Sequence, residues 1–110
     1  METPLYDTSV LIEHMRDGAT KLDGSTTILN LIEFPKAVTL KGLDIIIPGK
    51  EDYDKGFEMS ILLLQVGTPI PAVDIVLAAV VVNRGLVLHT RDRHFEYVRK
   101  IDRKFQVRIE

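Results

Sequence analysis

Eight consecutive apolar residues, Ile75 to Val82 (IVLAAVVV), follow directly on Asp74. A segment with no polar face must be covered on every side, so the fold has to place layers around it. The run is far too short to cross a bilayer. Val80-Val81-Val82 favours a strand, but Pro71 before the run, the Ala78-Ala79 pair within it and Gly85 after it favour a helix. The segment from Pro71 to Arg84 therefore reads as a buried helix with Asp74 in its first turn. An ionised carboxylate left unpaired among apolar neighbours costs several kcal/mol. Water, the helix terminus, a basic partner or a metal ion must compensate it.

The rest of the chain sets limits on that choice. At 110 residues it makes one small domain with a single core, spanning 1–110. It contains no cysteine, which excludes disulfides and thiolate metal sites. His14, His89 and His94 lack a zinc-like spacing, so a metal site would be built mainly from oxygen and would suit Mg2+ or Mn2+. No apolar signal segment follows a basic N-terminus, and a cytoplasmic location with no membrane attachment is the expectation. Residues 1–83 carry six Lys/Arg against twelve Asp/Glu, whereas residues 84–110 carry eight against four. The basic second part reads either as a solvated surface or as a source of phosphate contacts beside an acidic centre.

Strands and helices alternate along the sequence. Leu5-Tyr6 reads as a short strand ending at Asp7, followed by a helix capped by Thr8 or Ser9 and running to about Arg16. Ser25 to Leu29 is rich in β-formers; Asn30 with Glu33 three residues on resembles a capping box opening the next helix, with Pro35 in its first turn. Leu43 to Ile47 reads as a short strand closed by Pro48-Gly49. Tyr53, Phe57, Ile61 and Leu64 recur at helical spacing within an amphipathic helix from Glu51 to Val66. Leu86 to His89, Arg93 to Ile101 and Phe105 to Ile109 read as strand, helix and strand. Such alternation implies a parallel sheet with helices on both faces.

In that architecture ligands bind outside the carboxyl ends of the strands. Asp7, Glu33, Asp74 and Asp92 all map to that edge. Each has a structural alternative: Asp7 as a helix cap, Glu33 as part of a capping box, Asp74 as a partner of the helix dipole, and Asp92 as a turn residue. Four carboxylates at equivalent positions would repel one another, and divalent cations are the usual remedy.

Four segments, YDTSVLIE (Tyr6 to Glu13), ILNLIEF (Ile28 to Phe34), IPAVDIVLAA (Ile70 to Ala79) and LVLHTRDRHF (Leu86 to Phe95), resemble the successive motifs of PIN domains, in particular the VapC toxins of prokaryotic toxin–antitoxin pairs. The resemblance implies a PIN-like three-layer α/β/α fold around a central, mainly parallel sheet of four to five strands. It implies an endoribonuclease dependent on Mg2+ or Mn2+, leaving a 5′-phosphate and a 3′-hydroxyl. By the family pattern Asp7, Asp74 and Asp92 would hold the metal, and Glu33 would bind a second ion or orient the attacking water. Thr8 and Thr90 match the family's hydroxyl positions, and Arg91 and Arg93 flank Asp92 where RNA phosphate would lie. A small VapB-like antitoxin is the implied partner and a homodimer the implied assembly.

Two departures stand out. Where the fourth motif commonly carries a second acid, this chain has His94, which would bind phosphate, ligate the metal weakly or pack structurally. The segment from Pro35 to Glu51 is short where the family often has a helical pair that contributes to the antitoxin groove and dimer surface. These departures keep two alternatives open: a non-catalytic interaction module with the same fold, and a housekeeping RNA-processing or DNA-acting nuclease.

Overall fold

The computed structural model describes residues 2–110. Its elements follow in the order β1 (Pro4–Tyr6), α1 (Thr8–Arg16), β2 (Lys21–Thr27), α2 (Ile28–Glu33), β3 (Lys41–Ile46), α3 (Lys50–Gln65), α4 (Ala72–Arg84), β4 (Val87–Thr90), α5 (Glu96–Ile101) and β5 (Gln106–Ile109). Short 3-10 turns cover Pro35–Thr39 and Arg93–Phe95. All five strands are parallel, in the order β3-β2-β1-β4-β5. This is the three-layer α/β/α, PIN-like architecture that the motifs imply.

The order of strands locates the crevice. From β1 the chain winds outward to β2 and β3, then returns to build β4 and β5 on the other side of β1. Loops leaving β1 and β4 therefore diverge to opposite faces, and in folds of this topology ligands bind at that switch point, outside the carboxyl ends of the strands. Residue alternation in β1 sends Leu5 and Tyr6 into different cores. Leu5 joins α3, α4 and α5 through Met59, Leu63, Leu77, Val98 and their neighbours. Tyr6 joins α1 and α2 through Val10, Leu11 and Leu31.

The apolar run is helical, and burial overrides the β-propensity of its three valines. Ile75 and Leu77 to Val81 are all buried. Gly85 ends the helix in the left-handed conformation at φ 64°, where a side chain would be strained. Gly24 has a different reason to be glycine, because a Cβ there would stand 2.6 Å from the Tyr6 ring.

Two sequence expectations need correction. Asn30 does not open the second helix, and Glu33 does not complete its capping box. β2 continues to Thr27, which is the cap, and Asn30 occupies the third helical position that answers it. Glu33 instead ends α2, and Pro35 starts the separate 3-10 turn, since proline ends the hydrogen bonding that α2 would need to continue. In α3 the stripe Tyr53, Phe57, Ile61 and Leu64 faces outward, with Phe57 70% and Leu64 69% exposed. The buried face of α3 is Asp52, Gly56, Met59 and Leu63.

Candidate active site

Asp7 is the innermost of the four acids, 5% exposed at the junction of β1 and α1. Its backbone N–H donates to the His89 carbonyl at 2.9 Å, which fixes it beside β4. Its Oδ1 accepts from the Thr8 N–H at 2.8 Å and from Asn30 Nδ2 at 3.3 Å; its Oδ2 accepts from Thr90 Oγ1 at 2.7 Å. The helix-cap reading of Asp7 is thus correct in position, and the same carboxylate is also bonded by Asn30 from α2 and Thr90 from β4. Burial pushes its pKa up; the Thr90 and Thr8 hydrogen bonds oppose that shift, and the charges of Asp92 and Glu33 reinforce it.

The other acids surround it. Asp74 lies in the first turn of α4, with 20% of its side chain exposed. Burial raises its pKa, the charge of Asp7 raises it further, and His94 pulls it down. His94 Nε2 sits 2.8 Å from Asp74 Oδ2, and the His94 ring rests on Phe95 with centroids 4.8 Å apart. Asp92 is exposed after β4, and its backbone N–H donates to Thr90 Oγ1 at 3.0 Å. Glu33 is exposed at the end of α2, where its Oε1 accepts from Thr8 Oγ1 at 3.0 Å. Both threonine hydroxyls therefore give their single proton to an acid of the cluster.

The flanking arginines differ from one another. Arg91 is held by Glu13 at 2.6 Å, and its backbone N–H donates to Ser9 Oγ at 3.1 Å. Arg93 is 83% exposed at its side chain and reaches Glu96 only at 3.6 Å, which leaves it the more available cation. Sequence reasoning missed two participants. Asn30 is 1% exposed and bridges Asp7 and Thr8; the pattern Thr27-x-x-Asn30 after a strand is the signal that would have found it. Ser9 was visible only as a candidate cap.

A hard divalent cation suits this donor set, which is carboxylate and hydroxyl oxygen apart from His94. Among the described residues no Lys, Arg or His pairs with Asp7, whose charge is opposed by two neighbouring acids. No three His, Asp or Glu side chains among the described residues form a ready-made cage, and Asp74 is hydrogen-bonded to His94. The residues fit such an ion by charge and donor type, with Asp7 as the uncompensated member.

No protein-family model matches this chain, and no curated protein matches it either. Solved structures do match along its whole length. A chain of DNA-bound VapBC from Salmonella typhimurium has a TM-score of 0.80 at 16% identity, covering 99% of this chain and 98% of its own. VapBC2 from Rickettsia felis, bound to a promoter fragment, gives 0.79 at 13% identity, covering 97% and 98%. VapBC-5 from Mycobacterium tuberculosis, a member of the VapBC family of toxin–antitoxin systems, gives 0.73 at 19%, covering 99% and 98%. The shared property is the fold.

Proposed function

We propose that this chain, as a single nuclease domain, is a metal-dependent endoribonuclease of the toxin type, acting in the cytoplasm. The observation that carries the reading is Asp7: a buried carboxylate at the cleft between β1 and β4, hydrogen-bonded in place, with acids around it and no basic partner among the described residues. Asp7, Asp74 and Asp92 would hold Mg2+ or Mn2+, with Glu33 as a further ligand or as the group orienting the attacking water. The ion, when bound, supplies charge neutralisation at the scissile phosphate and a lowered pKa for water. Thr90 keeps Asp7 oriented, and Thr8 does the same for Glu33. Arg93, and Arg91 once released from Glu13, offer contacts to RNA phosphates. No side-chain nucleophile is required, and the products would carry a 5′-phosphate and a 3′-hydroxyl.

Partners follow from two exposed apolar surfaces. Ile28, Leu31, Ile32, Pro35 and Val38 line an apolar groove of about 400 Å3, with Ile32 69% and Val38 64% exposed. We assign it to an apolar segment of a small VapB-like antitoxin, as a groove of this kind receives a helix or extended peptide. The outward stripe of α3 is assigned to a second copy of the chain. The toxin–antitoxin complexes that share the fold support an antitoxin as partner, and the choice of groove rests on its apolar lining.

The test is cleavage of RNA with and without Mn2+ by the wild type, Asp7→Asn and Asp74→Asn, with circular dichroism as the check on folding. Metal-dependent cleavage by the wild type and its loss in both folded variants is expected; full activity in either variant contradicts the assignment. One observation favours a second reading. The His94–Asp74 pair occupies an acid of the cluster, as a non-catalytic interaction module would allow. Absence of saturable Mn2+ binding by the wild type would select that module. A housekeeping or DNA-acting nuclease would share the site, and expression of the chain alone without growth arrest would weaken the toxin reading while leaving the nuclease reading standing.

A further inference from the structure

Asn30 is 1% exposed, and its amide is used completely. Its Oδ1 accepts from the Thr27 N–H at 3.2 Å and from Thr27 Oγ1 at 2.7 Å. Its Nδ2 donates to Asp7 Oδ1 at 3.3 Å and to Thr8 Oγ1 at 3.0 Å. A primary amide offers two protons and two lone pairs, so nothing remains unpaired. The orientation is also forced. Flipping the amide would aim N–H at the Thr27 N–H and oxygen at the Asp7 carboxylate, two repulsive contacts in a buried place.

The donors run in one direction through the cluster. Asn30 gives one proton to Asp7 and the other to Thr8; Thr8 then passes its own hydroxyl proton to Glu33. On the far side Thr90 gives its proton to Asp7 while accepting from the Asp92 N–H. Asn30 is the side chain that bonds both Asp7 and the Thr8 hydroxyl that serves Glu33, while the Thr8 N–H adds a backbone bond to Asp7. It is anchored by Thr27, at the end of a strand central enough to be paired on both edges. We propose that Asn30 is a positioning residue of the site: beside Thr90 and the Thr8 N–H it completes the set of bonds that hold the Asp7 rotamer, it sets the hydroxyl direction of Thr8, and so it helps prearrange Asp7 and Glu33 toward a divalent cation. This inference rests on the metal-site reading above. Groups that orient metal-binding side chains typically change metal affinity by about 10–100-fold when removed.

A structural role and a positioning role can be separated because Asn30 and Thr27 share the helix cap. Thr27→Ala removes the cap hydroxyl but leaves the Thr27 N–H to hold Asn30. Asn30→Ala removes the cap partner and both protons aimed at the site. The rotamer of Asp7 is read by crystallography or by side-chain NMR couplings in the metal-free proteins, and Mn2+ affinity by calorimetry. Both variants should melt earlier than the wild type. Of the two, only Asn30→Ala should loosen the Asp7 rotamer, which Thr90 and the Thr8 N–H still hold in part, and weaken Mn2+ binding by about tenfold or more. An unchanged Asp7 rotamer in Asn30→Ala, or equal effects in Thr27→Ala, overturns the inference. Should Asn30→Ala fail to fold, Asn30→Asp keeps the acceptor for Thr27 and loses the protons to Asp7, and an unchanged Asp7 rotamer there overturns it equally. A wild type that binds no Mn2+ removes the metal-site reading, and the prearrangement toward a cation falls with it.

Discussion

Asp7 and Asp52 are both nearly closed to solvent, at 5% and 2% exposure, but Asp7 lies deeper in the protein, and their pKa values move in opposite directions. Burial opposes ionisation of both. At Asp52, the first turn of α3, it is outweighed by hydrogen bonds from Arg84, the Gly49 N–H and Asn83, and by the Arg84 charge. The guanidinium stands 2.7 Å from Asp52 Oδ1 and ties the start of α3 to the end of α4. Asp7 also receives hydrogen bonds, but its nearest charges are acids. One carboxylate has its cation built into the chain; the other, on the proposed reading, takes one from solution. Surface exposure alone thus says little about what an acid does; its depth and the sign of the neighbouring charge say more.

The largest effects should come from exchanging the two acids' roles. Asp7→Asn should reduce Mn2+-dependent RNA cleavage to the metal-free level, while Asp52→Asn should leave the cleavage that its remaining folded fraction supports. Arg84→Ala should do the reverse of Asp7→Asn, costing about 2–3 kcal/mol in denaturant unfolding with cleavage by the folded protein intact. Fully buried pairs cost more to break, and the value here is reduced because 35% of the Arg84 side chain meets solvent.

Metal should distinguish the sites next. Saturating Mn2+ at about a hundred times its dissociation constant stabilises a protein by about 2.7 kcal/mol. That gain should appear in wild type and Arg84→Ala, and vanish in Asp7→Asn.

The pH dependence of stability without metal should separate them as well. Asp7 and Asp74 have pKa values raised above the ordinary 3.8, so their contribution is full below that value and lost as pH rises through the raised ones. Asp52 has a lowered pKa, so its contribution is full above 3.8 and lost as pH falls through the lowered one. Asp7→Asn should flatten the part of the unfolding profile above pH 3.8, and Asp52→Asn the part below it. The smallest change is expected for His94→Ala. Its pair with Asp74 is partly exposed, and removal should alter stability by about 1 kcal/mol or less in the same assay.

Much of this was legible in the sequence, for identifiable reasons. The run after Asp74 had enough length, a proline start and a glycine stop to outweigh its valines. The alternation of strands and helices fixed a parallel sheet, and a parallel sheet puts Asp7, Asp74 and Asp92 at one edge. Asn30 was misread because Thr27-x-x-Asn30 and Asn30-x-x-Glu33 both fit a cap spacing, and only the extent of β2 decides between them. Periodicity found the α3 stripe but could not give its direction, since Met59 and Leu63 provide a second apolar face. The Asp52–Arg84 pair joins residues 32 apart and had no local signal at all.

The central claim is that Asp7 lacks a cation that Asp52 already has. Calorimetric titration of Mn2+ into wild type and Asp7→Asn, with both shown to be folded, tests it most directly. Saturable binding in the wild type and none in Asp7→Asn is the predicted result. Equal affinity in the two proteins, or no binding in the wild type, would contradict it.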